Sequence, residues 1–206
     1  IDIMKLLPSS NKGASVVVIG KGSRTEQVEG CTVTEVFCGI GGLTHGFIRE
    51  GFRVAAGFDS DESCRYAYET NNAGAKFICK SIESMTADDL LKWYPDEHIK
   101  VLVGCAPCQP YSSYNQKVQD REEKWKLLDH FAALICAVRP EVVSMENVSN
   151  LVTYRNGSVY NDFVARLTPE GYHITSYPEV YCPDYGVPQR RTRLAFFASL
   201  FGTVEL

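Results

Sequence analysis

A thiol at the mouth of an apolar strand is a natural nucleophile, and Pro107-Cys108-Gln109 offers one here. The strand reads Val101-Leu102-Val103, and Gly104-Cys105-Ala106 lead out of it. Pro107 has no N–H for a ladder, so it marks where the chain leaves the sheet and puts Cys108 on a loop at the strand's carboxyl end. In open α/β sheets that edge is where ligands bind. Glu146-Asn147-Val148 ends another apolar strand, so Glu146 is expected at the same edge. A thiolate and a carboxyl group sharing a cleft suit nucleophilic attack on a ring, assisted by protonation at a neighbouring ring nitrogen. The other use of Glu146 is to cap the turn that follows. Gln189-Arg190-Arg191-Thr192-Arg193 runs into a last strand, where alternate arginines face one side and could hold a polar base or a phosphate, or form a solvated edge.

A second group of residues could hold a small ligand. Phe37-Cys38-Gly39-Ile40-Gly41-Gly42 follows the first strand directly and opens the first helix, and glycines there let the backbone turn sharply and approach a ligand closely. The loop lacks the Gly-Lys-Ser/Thr of a phosphate-binding loop, which argues against a nucleoside triphosphate. Asp59 ends the second strand roughly 20 residues on, where a carboxylate can accept both hydroxyls of a ribose, or can be a solvated or capping acid. Cys105 and Cys108 form a C-x-x-C pair. No second pair completes a structural zinc site, so no metal is expected, and Pro107 inside the pair disfavours a thioredoxin-like redox motif.

The elements that must position these residues alternate. Strands are expected at Val33 to Phe37, Arg53 to Phe58, Lys76 to Cys79, Val101 to Val103, Val142 to Met145, Tyr172 to Tyr181 and Arg193 to Ala198. Between them, helices are expected near Leu43 to Glu50, from a Ser60 cap through Asn71, and from a Thr86-x-x-Asp89 capping box to Tyr94, where Pro95 ends it. Trp125, Leu128, Ala132, Ile135 and Val138 recur at helical spacing until Pro140, and a further helix is expected near Ser158 to Leu167. Alternation of this kind implies a mostly parallel sheet with helices on both faces. Ile1 to Gly30 stand apart as an extension of unclear role, with a strand-like run from Ala14 to Ile19.

With 206 residues, the chain is of a size for one domain that buries a core. Hydrophobic content of 45% and charged content of 22% are those of ordinary globular proteins, and no run reaches the roughly 18 apolar residues of a membrane span. Eight cysteines without a regular framework read as reduced thiols in a cytoplasmic setting. A net charge of -4 argues against a surface that holds nucleic acid by electrostatics alone.

Taken together, Phe37-x-Gly39-x-Gly41-Gly42, Pro107-Cys108-Gln109, Glu146-Asn147-Val148 and Gln189-x-Arg191-x-Arg193, in that order, resemble the C5-cytosine-specific DNA methyltransferases over roughly Thr32 to Ser199. Asp59-x-Asp61, Tyr68, Asn71 and Tyr185-Gly186-Val187-Pro188 agree in position. The resemblance implies a Rossmann-like fold, S-adenosylmethionine as cofactor and a cytosine flipped out of DNA as target. By the same resemblance Cys108 attacks ring carbon 6, Glu146 serves ring nitrogen 3, Arg193 binds the carbonyl oxygen and Arg191 supports it. Phe37, Gly39, Ile40, Gly42, Asp59, Ser60, Ser81, Ile82, Pro107 and Leu127 are then cofactor residues, and Gln109, Ser112 and Asn147 face the substrate. The setting implied is cytoplasmic, with restriction-modification as the expected context and association with the nucleoid if the host is bacterial.

Three departures accompany the match. Ser81 stands where the family usually has an aspartate for the adenine amino group, a bond that a hydroxyl makes without charge assistance or that falls to Glu83. Glu35 stands where aspartate is common. The target-recognition region and the last two motifs of the family are not present between Ile1 and Leu206, so residues 31–206 are expected to be the cofactor-binding catalytic domain, either of a longer enzyme or of one subunit whose companion supplies target recognition. Other expectations compatible with the motifs are methylation of cytosine in tRNA and a catalytically inactive docking module.

Overall fold

The computed structural model describes residues 29–107 and 126–206. Strand β1 (Cys31–Val36) is buried at every position, the mark of a parallel strand covered on both faces. It pairs in parallel with β2 (Arg53–Asp59) on one side and β4 (Ile99–Gly104) on the other. Beyond β2 lies β3 (Lys76–Cys79), and beyond β4 lies β5 (Val142–Asn147), both parallel. The sheet is completed by β7 (Thr192–Ser199), antiparallel to β5, and by β6 (His173–Tyr181), antiparallel to β7, giving the order β3-β2-β1-β4-β5-β7-β6.

Helices cover both faces. Helix α1 (Gly42–Arg49) and α2 (Arg65–Asn71) bury Phe47 and Tyr68 with Val33, Val54, Val101, Val103 and Phe197 on one side. On the other side α3 (Ala87–Leu91), α4 (Lys126–Val138) and α5 (Ser158–Leu167) pack Leu90, Phe131, Ile135 and Phe163 against Phe58, Leu102 and Phe196. This is the expected Rossmann-like α/β architecture. Strand order reverses between β1 and β4, so the segments leaving those two strands diverge and leave a crevice at the sheet's carboxyl edge.

Local signals landed close to the observed ends, with one correction. The acid that caps the helical segment after β2 is Asp61, which accepts from Ser63 N at 3.0 Å and begins a short 3-10 turn, Glu62–Cys64, before α2; Ser60 does not cap it. Thr86 and Asp89 do form the capping box. Helix α3 stops at Leu91, and single turns carry the chain to Tyr94, whose hydroxyl donates to Val101 O at 3.1 Å. The run from Ala14 to Ile19 and Trp125 lie outside the described residues.

Tyr68, with no exposed surface, fills the space that two glycines leave. A Cβ on Gly57 would sit 2.4 Å from its hydroxyl oxygen, and one on Gly41, where φ is +86°, would sit 2.7 Å from its ring and 2.3 Å from Asn72 Nδ2. Gly41→Ala therefore adds left-handed strain to overpacking, and a loss of about 2–3 kcal/mol is expected, or a melting temperature lower by roughly 5–10 °C. A thermal melt within about a degree of the parent would show that this contact yields easily.

Candidate active site

The glycine loop leaves β1 with Phe37 and Gly39 both at positive φ, 58° and 49°, so the chain curls back at the crevice. That curl brings Gly39 N to Asp59 Oδ2 at 2.8 Å, and Asp61 N donates to Oδ1 at 3.0 Å. Two backbone donors thus fix the Asp59 carboxylate at the end of β2, with lone pairs left over for hydroxyl groups. A cleft of about 200 Å³ opens beside it, lined by Phe37, Asp59, Ser60, Ser81, Ile82, Pro107 and Leu127 among the expected cofactor residues. Ile40 on that loop and Gly42 at the start of α1 are exposed and are not part of the lining.

Lys80, Met85 and Cys105 also line the cleft, and sequence reasoning did not single them out for it. Lys80 is tied by an ion pair to Asp89 at 2.7 Å. The Ser81 hydroxyl donates to Glu83 Oε2 at 3.3 Å and accepts from Glu83 N at 3.4 Å. An apolar slot formed by Phe37, Ile82 and Leu127, beside a fixed carboxylate, suits a nucleoside: ring faces against the apolar walls, ribose hydroxyls on Asp59.

Next to the cleft, three neighbouring strands converge on one carboxylate. Glu146, near the end of β5, receives Arg193 Nε of β7 on Oε1 at 2.8 Å. Its other oxygen, Oε2, accepts from the thiol of Cys105, the residue after β4, at 2.9 Å. The Glu146 and Arg193 side chains keep 35% and 22% of their surface exposed, so the pair adds little to stability but is open to a ligand. Asn147 is buried: its amide donates to Ala106 O at 3.1 Å and its Oδ1 accepts from Val148 N at 2.9 Å. In this arrangement it ties the segment after β4 to the end of β5, where a substrate contact was expected. Arg191 is exposed ahead of β7. Cys108, Gln109 and Ser112 lie outside the described residues.

Behind the glycine loop sits a carboxyl group that the sequence showed only as a family substitution. Glu35 is 1% exposed and accepts from both the N–H and the hydroxyl of Thr44, whose Oγ1 also meets Tyr68 OH at 2.9 Å. Burial lifts its pKa from 4.5 to about 7, with the Asp59 charge adding to the rise and the Thr44 bonds opposing it. The same burial, with the charges of Glu35 and Asp59, pushes the Cys38 thiol far up and leaves it no competing nucleophile.

Between pH 4.5 and 7 the folded chain holds this proton more tightly than the unfolded chain does. Stability therefore falls as pH rises through that window, by an amount on the order of 3 kcal/mol. Glu35→Gln is expected to flatten the fall when urea midpoints are compared at pH 5 and pH 8. Parallel pH profiles for the two proteins would rule this out.

Comparison with known proteins adds an independent line. A family profile described as C-5 cytosine-specific DNA methylase matches residues 31–203. The chain is 48% identical over 174 residues to Type II methylase M.HgiDII of Herpetosiphon aurantiacus, covering 84% of this chain and 48% of that protein. It is 31% identical over 171 residues to Type II methyltransferase M.AgeI of Thalassovita gelatinovora, covering 82% of this chain and 39% of that one. The chain thus spans about half the length, or less, of these curated relatives. Among solved structures, the S. pombe Dnmt2 methyltransferase superposes with a TM-score of 0.67 at 18% identity, over 85% of this chain and 51% of that one, a likeness of fold.

Proposed function

The chain belongs to the C-5 cytosine-specific DNA methylase family, and on that premise we propose that it methylates carbon 5 of a cytosine flipped out of DNA. The observation that carries this reading is the junction of two subsites at one sheet edge: a cleft with apolar walls and the Asp59 carboxylate, and beside it a carboxylate paired with an arginine, both bordered by Cys105.

S-adenosylmethionine, the proposed cofactor, supplies when bound a methyl group that a carbon nucleophile can take. Asp59 would accept its ribose hydroxyls, Ile82 and Leu127 would pack its adenine, and Phe37 with Pro107 would border the end that carries the methyl group. The Cys108 thiolate would add to ring carbon 6 of cytosine. Glu146 would hand a proton to ring nitrogen 3, so the electron pair displaced from the carbon 5–carbon 6 bond is not left as an uncompensated anion. Arg193 would hold the ring's carbonyl oxygen while keeping Glu146 oriented, with Arg191 in support. Carbon 5, now enamine-like, would take the methyl group; its proton would then leave as the returning electron pair expels the thiolate, and the proton on ring nitrogen 3 would go back to Glu146.

Residues 31–206 would form the cofactor-binding catalytic domain, and discrimination among DNA sequences would come from outside it, in a further region or a companion subunit. The relatives' names as Type II enzymes support a modification role in a restriction-modification pair. The direct test is to supply S-adenosylmethionine with a labelled methyl group and duplex DNA, then digest to nucleosides. Label in 5-methylcytosine is expected. Label in N4-methylcytosine or N6-methyladenine would overturn the reading, and label only in tRNA offered alongside would move it to RNA.

A further inference from the structure

Cys105 touches both subsites, lining the cleft and donating its thiol to Glu146 Oε2 at 2.9 Å. The terminal torsion of a glutamate is broad, so one contact leaves the carboxylate plane free to turn. Arg193 Nε, at 2.8 Å from Oε1, is one such contact. A second donor on Oε2, from a different strand, removes that freedom. Its reach is set by the sheet: β4 pairs with β5 through Gly104 and Met145, and the residues next in line are Cys105 and Glu146. The tether between Asn147 and Ala106 O holds the same segment in place from the neighbouring position.

The kind of donor matters as much as its place. A thiol is a weak donor, and a carboxylate offers about four lone-pair sites. Cys105 therefore orients Oε2 without tying up the group that a base must reach. Because the same side chain forms part of the cleft wall, a ligand there presses on the group that sets the plane of Glu146.

We infer that Cys105 is a positioning residue, whose thiol fixes the plane of the Glu146 carboxylate and transmits to it whether the adjoining cleft is filled. This rests on Glu146 being the group that serves the base, and the experiment separates the two claims. The full chain is labelled with glutamate carrying an isotope at the side-chain carboxyl carbon, and the Glu146 signal is assigned by its loss in Glu146→Gln. In the parent protein, S-adenosylhomocysteine is expected to shift that signal. Cys105→Ala moves the signal in the absence of ligand and removes the response, and Cys105→Ser restores both, which also shows that the site tolerates substitution.

A Glu146 signal unmoved in Cys105→Ala, or equally responsive to ligand there, overturns the inference, as does a parent signal that ignores bound ligand. In methyl transfer, Cys105→Ala is expected to lower kcat about tenfold with the cofactor KM nearly unchanged, and Cys105→Ser to recover most of the loss. Uniform loss in both variants, or a change in KM alone, counts against positioning. Should the signals behave as expected while the parent transfers no methyl group to cytosine, the proposed reaction falls and the inference stands.

Discussion

Cys108→Ser is expected to lower methyl transfer by about four orders of magnitude or more, the scale of removing an enzyme's nucleophile. A cysteine thiol is a few per cent thiolate near pH 7 and strongly nucleophilic; a serine hydroxyl is neither, and it needs a partnered base to attack at all. Glu146 is not that base, because its proposed part is to give a proton to the ring, facing nitrogen 3 and not the nucleophile. DNA carrying 5-fluorocytosine separates chemistry from binding. Fluorine at carbon 5 blocks the final proton loss, so the parent protein, S-adenosylmethionine and this DNA are expected to give a band that survives a denaturing gel. Cys108→Ser should give none while still retaining cofactor. A persistent adduct in the variant would place the nucleophile elsewhere, with Cys105 the first thiol to replace.

Glu146→Gln comes second in size, with an expected loss of about 10²–10⁴ in the rate of adduct formation, the usual worth of a positioned proton donor. The substitution keeps the length of the side chain and removes two things at once. A carboxamide has no acidic proton for ring nitrogen 3, and it no longer neutralises the Arg193 guanidinium beside it. Because that pair is partly exposed, the fold should tolerate the change, with a melting temperature within a few degrees of the parent. Single-turnover rates measured with saturating cofactor read the chemical step directly. A rate within about threefold of the parent would confine Glu146 to structure, the turn-capping role the sequence also allows.

The contrast between these carboxylates and Glu35 shows how far a sequence can be read. Asp59, Glu146 and Glu35 all stand at or near the ends of apolar strands. Asp59 and Glu146 were legible as site residues because Asp59 ends its strand and Glu146 follows the apolar run Val142 to Met145 in a recognisable motif, although β5 itself continues to Asn147. Glu35 is one residue short of the end of β1, and its side chain meets Thr44 in the first turn of α1. Nothing in strand periodicity says that a helix will fold back over that position and enclose the carboxyl group. The near-neutral titration of Glu35 follows chiefly from that enclosure.

Cys105 makes the same point from the other direction. In the sequence its salient relation was to Cys108, three residues on, and the questions it raised were zinc and redox. Its partner in the structure is Glu146, brought beside it by the parallel pairing of β4 with β5. Asn147 likewise belongs to a motif that points to substrate, while its amide is spent on Ala106 O and Val148 N. Spacing along the chain names residues that act at one edge, but register across the sheet decides which of them touch.

The sequence by itself determined the alternation of strand and helix, the glycine loop, the order of the four motifs and hence the family, because these depend on local periodicity, turn chemistry and residue identity. Tertiary structure alone decided that the cleft takes in Lys80 and Cys105, that two strands besides its own hold the Glu146 carboxylate, and that Glu35 is sealed behind the glycine loop. The physical reason is that contacts between strands are fixed by register and packing summed over the whole sheet. A chain read one segment at a time carries that sum nowhere in particular.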